Sequence, residues 1–151
     1  MKKLIIAAFI AVSLATTAFA ADVNKVNSLV LNAFNVNFAD VTDVQWTLEK
    51  NFARARFLQN GEKIEAFFNY DGTEIGTSKV FALDKLPKTA LRTFTKKYPF
   101  PPYKLKECIE FTDADGEVNY FISLEEEAKA KTILKVTSYG LISVFKTEKT
   151  K

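Results

Sequence analysis

Residues 44–72 read VQWTLEKNFARARFLQNGEKIEAFFNYDG, and the spacing of the apolar residues in this stretch decides the fold class. Val44, Trp46 and Leu48 alternate with Gln45, Thr47 and Glu49, and Ala53, Ala55 and Phe57 alternate with Arg54 and Arg56. A period of two places alternate side chains on opposite faces of a strand. Asn60-Gly61 follows as a two-residue hairpin turn, then Ile64, Ala66 and Phe68 mark a third strand and Asp71-Gly72 a second turn. A fourth strand is expected over Ile75 to Phe81. Upstream, Val26, Leu29, Val30, Ala33 and Phe34 recur at three- and four-residue steps, as on an amphipathic helix.

The same order appears again beyond Leu86-Pro87. Proline suits the first turn of a helix, and Ala90, Leu91, Phe94 and Tyr98 form its apolar side. Pro99, Pro101 and Pro102 stop it, because each lacks an amide proton and disfavours helical geometry in the residue before it. Strands are expected over Leu105 to Phe111, Val118 to Leu124, Thr132 to Val136 and Leu141 to Phe145. Asp115-Gly116, the acidic run Glu125 to Glu127 and Tyr139-Gly140 separate them. The pattern predicts an α+β protein of two tandem units, about 22–84 and 85–148, each a helix plus a four-stranded antiparallel meander.

The first twenty residues have a different character. Lys2 and Lys3 precede an apolar run from Leu4 to Leu14, and Ala18-Phe19-Ala20 supplies the small residues of a cleavage site. Residues 1–20 are therefore expected to be a secretory signal peptide, cut near Ala20, since the run falls short of the ~20 residues of a spanning helix. The expected product is residues 21–151, periplasmic or secreted. Its nineteen basic and eighteen acidic residues give a net charge of +1, which implies no general attraction to nucleic acid. The nearest run of basic residues is the tail at Lys146, Lys149 and Lys151, readable as a solvated end.

The chain has no histidine and one cysteine, Cys108. That composition excludes Ser-His-Asp and Cys-His nucleophile pairs, histidine metal sites and thiolate zinc clusters. The five glycines are isolated, so no phosphate-cradling loop is formed. Cys108 lies in an alternating segment and reads as a small buried residue. A two-carboxylate hydrolase needs only paired acids, but the acids here sit mostly at turns. No cofactor, no metal and no catalytic residue is expected.

The run Phe34, Phe38, Val44, Trp46, Ala53, Phe57, Gly61, Ala66, Phe68, Tyr70-Asp71-Gly72 and Leu86-Pro87 resembles the beta-lactamase-inhibitor-like, PepSY-like family of small exported Bacteroidetes proteins. The resemblance covers nearly the whole of residues 21–151. It implies a fold similar to the beta-lactamase inhibitory protein, and PepSY domains are associated with protease inhibition and peptidase propeptides. The matched positions are core and turn residues, so they speak to fold more than to activity.

If Val44, Trp46, Leu48, Ala53, Ala55, Phe57, Ala66 and Phe68 face the helix, then Gln45, Thr47, Arg54, Arg56, Glu65, Phe67 and Asn69 point the other way. In the second unit that phase holds Asn119, Phe121, Ser123, Ile133, Lys135 and Thr137. Arginine among aromatic residues is the mixture enriched at protein interfaces. The expected function is thus an exported, non-enzymatic, inhibitor-like binding protein. Its exposed sheet face would contact a protein or peptide of the cell envelope through Gln45, Thr47, Arg54, Arg56, Glu65, Phe67, Asn69, Phe121, Ile133 and Lys135. The alternatives are a periplasmic carrier with an apolar pocket lined by some of the twelve phenylalanines of residues 21–151, and a two-carboxylate hydrolase. N-terminal sequencing of the exported product checks the processing: it should begin at Ala21, and an intact Met1 recovered in the membrane fraction contradicts the reading.

Overall fold

The computed structural model describes residues 23–126 and 130–149; the expected leader, its cleavage point and Glu127 lie outside the described residues. A short 3-10 turn, Val23–Lys25, leads into helix α1 (Ser28–Asn37) and strands β1 (Thr42–Leu48), β2 (Ala53–Gln59), β3 (Glu62–Phe68) and β4 (Glu74–Val80). A second 3-10 turn, Leu83–Lys85, precedes helix α2 (Lys88–Lys97) and strands β5 (Tyr103–Asp113), β6 (Val118–Glu126), β7 (Ala130–Thr137) and β8 (Ile142–Lys149). The strands form one eight-stranded antiparallel sheet in chain order, β1 to β8. Every strand-to-strand step is therefore to a neighbour, and no connection has to cross another. Packing divides the described residues into two compact units, 23–79 with 111–117, and 80–110 with 118–149.

In the first unit, Asn27 caps α1: its side chain accepts from the Leu29 amide at 2.8 Å and donates to the Tyr70 carbonyl at 3.0 Å. One residue thereby satisfies an orphan amide of the helix and ties that end to the β3–β4 turn. Val30 and Phe34 are buried against Trp46, Ala53, Ala55, Phe57, Ala66 and Phe68. The Phe34 ring meets Trp46 at 5.1 Å, Phe57 at 5.3 Å and Phe68 at 6.3 Å between centroids, all edge-on, the geometry aromatic quadrupoles favour. Strand register sets Trp46 opposite Ala55, and Ala55 opposite Ala66. Two methyl groups beside the indole leave the helix room to approach the strands, and both alanines are fully buried.

Val44 departs from the expected core. The β1–β2 register shifts between Thr42 and Gln45, and Asp43 takes a φ of 55°. The bulge resets the alternation, so Val44 is 37% exposed while Trp46 and Leu48 keep their inward phase. The β2–β3 turn has φ 52° at Asn60 and 80° at Gly61, the two positive values of a type I′ hairpin. Gly76 in β4 is under a different constraint. Its φ is +150°, and a Cβ there would stand 2.3 Å from the Thr112 carbonyl oxygen.

The second unit has its own helix-side core. Pro87 occupies the N-cap of α2, one position before the first turn where the sequence placed it. Ala90 and Phe94 are buried with Leu86, Cys108, Tyr120, Ile122, Leu124, Leu134 and Val136. Cys108 is 3% exposed. Burial, with the Glu107 charge beside it, pushes its thiol up to about 11, so at neutral pH it is an inert apolar side chain.

Trp46→Ala and Phe68→Ala should each lower stability by about 3–5 kcal/mol in urea unfolding, because each empties part of a packed aromatic cluster. Gly76→Ala should cost about 2–3 kcal/mol, since it adds a steric conflict with backbone to an unfavourable φ. Losses below about 1 kcal/mol at Trp46 and Phe68 would mean that the strand faces are assigned the wrong way round.

Candidate functional site

The helices cover one phase of the strands, and the candidate site is the other. In the first unit, pairing carries two rows across β1, β2, β3 and β4: Thr47, Arg54, Phe67 and Gly76, and beside it Gln45, Arg56, Glu65 and Ser78. Glu65 joins the rows. Its Oε1 accepts from Arg56 Nε at 2.9 Å and Nη2 at 2.6 Å, and from Arg54 Nη1 at 3.4 Å. Arg54 Nη2 also lies 3.4 Å from Thr47 Oγ1. One carboxylate is thus shared by two guanidinium groups, which leaves the trio with one net positive charge. The Arg56 side chain is 46% exposed, whereas that of Arg54 is 3% exposed.

The solvent exposure expected of this face is corrected by the structure. In the 151-residue chain Arg54, Phe67 and Phe121 are 2% exposed and Ile133 is 1%. Phe67 lies between Phe52 at 6.0 Å and Phe111 at 6.2 Å, Phe121 meets Phe145 at 5.1 Å, and Arg54 is drawn down by Glu65 and Thr47. Gln45 and Arg56 are exposed; Thr47, Glu65, Asn69 and Lys135 are half-buried. In the second unit Phe121 is paired with Lys135, and Ser123 with Ile133. Three site residues were missed in the sequence: Phe52, Phe111 and Phe145. Phe52 could have been found by counting the period of β2 back from Arg54.

The buried residues of the two phases differ in kind. Both helix-side cores consist of apolar and aromatic side chains with Cys108. The buried polar and charged residues, Arg54, Asn119 and Ser123, all belong to the second phase. Ser123 Oγ has no hydrogen-bond partner among the described residues. A hydroxyl left so costs about 1–3 kcal/mol, an expense a core of aliphatic residues avoids.

The acids look like turn and surface groups. The Thr73 amide beside Asp71, the Lys106 ammonium at 2.7 Å from Glu125, and Lys146 beside Glu148 hold these carboxyls below their usual range. Among the described residues no group of three metal-ligating side chains occurs, and no helix is long and apolar enough to cross a membrane.

No family model and no curated protein sequence matches the chain. Solved structures do. A DUF2874 family protein from Bacteroides ovatus superposes with a TM-score of 0.70 at 20% identity, over 81% of this chain and 86% of that one. A BLIP-like protein from Bacteroides fragilis gives 0.70 at 13% identity, over 83% and 88%. A proposed periplasmic protein from Bacteroides eggerthii gives 0.68 at 16% identity, over 87% and 89%. At such identities what is shared is the architecture: this chain has the fold of these DUF2874 and BLIP-like Bacteroides proteins.

Proposed function

We propose that the chain is an exported, non-enzymatic, inhibitor-like binding protein that engages a protein or peptide of the cell envelope through the second phase of its strands. The observation that carries this reading is the company Phe67 keeps: aromatic rings on two sides, with Arg54, Arg56 and Glu65 on adjoining positions. Rings beside arginine, with polar groups set among them, are the composition of an interface centre. Asn119 and Ser123 beside Phe121 and Ile133 give the second unit a comparable mixture. We read the two units as tandem copies of a helix with four strands, about 22–84 and 85–148, each offering that phase. The species that meets the partner is the chain from Ala21 onward, after the leader over residues 1–20 has been removed. The likeness to BLIP-like and proposed periplasmic proteins supports the same reading.

Gln45 and Arg56 are the exposed residues of this phase in the first unit, so they make the test. In a chain beginning at Ala21, Gln45→Ala combined with Arg56→Ala should cost under about 1 kcal/mol in urea unfolding and should lower the recovery of whatever envelope protein or peptide the unaltered chain captures. Undiminished capture by the double variant would remove this surface from consideration.

A further inference from the structure

From Lys85 to Lys106 the sequence holds six lysines and one arginine and neither aspartate nor glutamate. The +3 charge of the whole chain therefore resolves into +7 from these residues and −4 from the remainder. In the fold, α2 arranges part of this charge into a line. Lys88, Arg92 and Lys96 follow at four-residue steps on the side of the helix opposite Ala90 and Phe94, and Lys85 stands in the preceding 3-10 turn. All four are exposed, as is Lys97. Arg92, Thr93, Lys96 and Lys97 line an open depression. No ion pair involves Lys85, Lys88, Arg92, Lys96 or Lys97 among the described residues.

Helix stability does not account for the line. Lysines in the last turn suit the helix dipole, but Lys88 stands in the first turn, where a cation is unfavourable and no acid is present. Like charges four residues apart, Lys88 with Arg92 and Arg92 with Lys96, also oppose helix formation. The residues are arranged at a cost to the element that carries them.

We propose that this cationic line on α2 is a docking surface for an acidic polypeptide segment. Successive charges climb about 6 Å along the helix axis, which matches the roughly 6.6 Å between alternate side chains of an extended chain. A nucleic-acid strand would want aromatic side chains beside the charges, on which its bases could stack. A membrane surface would want apolar side chains flanking the charges. Here the flanks are chiefly Thr89, Thr93 and Thr95; of the helix's apolar residues Ala90 and Phe94 are fully buried in the unit, and Leu91 packs half-buried against the same core. The surface is separate from the strand phase assigned to the partner above, so the two proposals fail independently.

A fluorescein-labelled peptide of alternating glutamate and threonine, titrated with the chain from Ala21 onward, tests the surface by anisotropy. Saturable binding is expected, weakening by about tenfold or more between low and physiological salt. The triple variant Lys88→Gln, Arg92→Gln, Lys96→Gln should bind at least about tenfold more weakly, with an unchanged or higher urea midpoint because the like-charge repulsion is gone. Lys63→Gln, which removes one exposed charge elsewhere, should leave peptide affinity unchanged. The inference is overturned by absence of saturable binding, by equal affinity of the triple variant, or by tighter association with phosphatidylglycerol vesicles or single-stranded DNA than with the peptide.

Discussion

The edge-on packing of Phe34 against Trp46, Phe57 and Phe68 is the interaction on which the first unit depends. It fixes which phase of β1, β2 and β3 is covered by α1, because a strand's alternate side chains cannot both face one helix. The small residues Ala53, Ala55 and Ala66 make the contact close enough to exclude water. Everything on the other phase, from Gln45 to Asn69, takes its direction from that choice. Phe34 in the first unit and Phe94 in the second are both buried, and both carbonyls accept the amide of the residue that caps the helix, Phe38 or Tyr98, at 2.8 Å.

The strands bury side chains on both phases. What sets the second phase apart is the admission of charge and hydroxyl groups to buried positions. Arg54 is tolerated because Glu65 neutralises it at 3.4 Å and Thr47 accepts from its other nitrogen; without Glu65 a buried guanidinium would be strongly destabilising. Glu65 in turn is held by Arg56. Such a cluster fixes charges at set positions among aromatic rings.

Much of this was legible in the residues. Period two over Trp46 to Phe68 predicted the strands and the core phase, and Asn60-Gly61 the hairpin. Val44 was not legible, because a bulge is a displacement of one residue that leaves composition unchanged and inverts the phase before it. The burial of Phe67 was not legible either: periodicity gives the direction of a side chain, and the rings that close around it come from elsewhere in the chain, such as Phe52 and Phe111. The charge line on α2 escaped a reading by net charge, which averages a basic segment with the acidic remainder. Its helical spacing was nonetheless present in the sequence at Lys88, Arg92 and Lys96.

The account turns on the division of the strands into a helix-side core and a second phase whose outer positions face solvent. Gln45→Cys, with Cys108 replaced by alanine, places a thiol at an exposed position of that phase, and the unaltered protein carries its thiol in the helix-side core. The measurement is the rate of maleimide labelling of each under native conditions. The account predicts that Gln45→Cys is labelled without unfolding, at a rate near that of the unfolded chain, while Cys108 reacts only as the protein unfolds. Protection of Gln45→Cys equal to that of Cys108 would show a closed core where the account places solvent-facing positions.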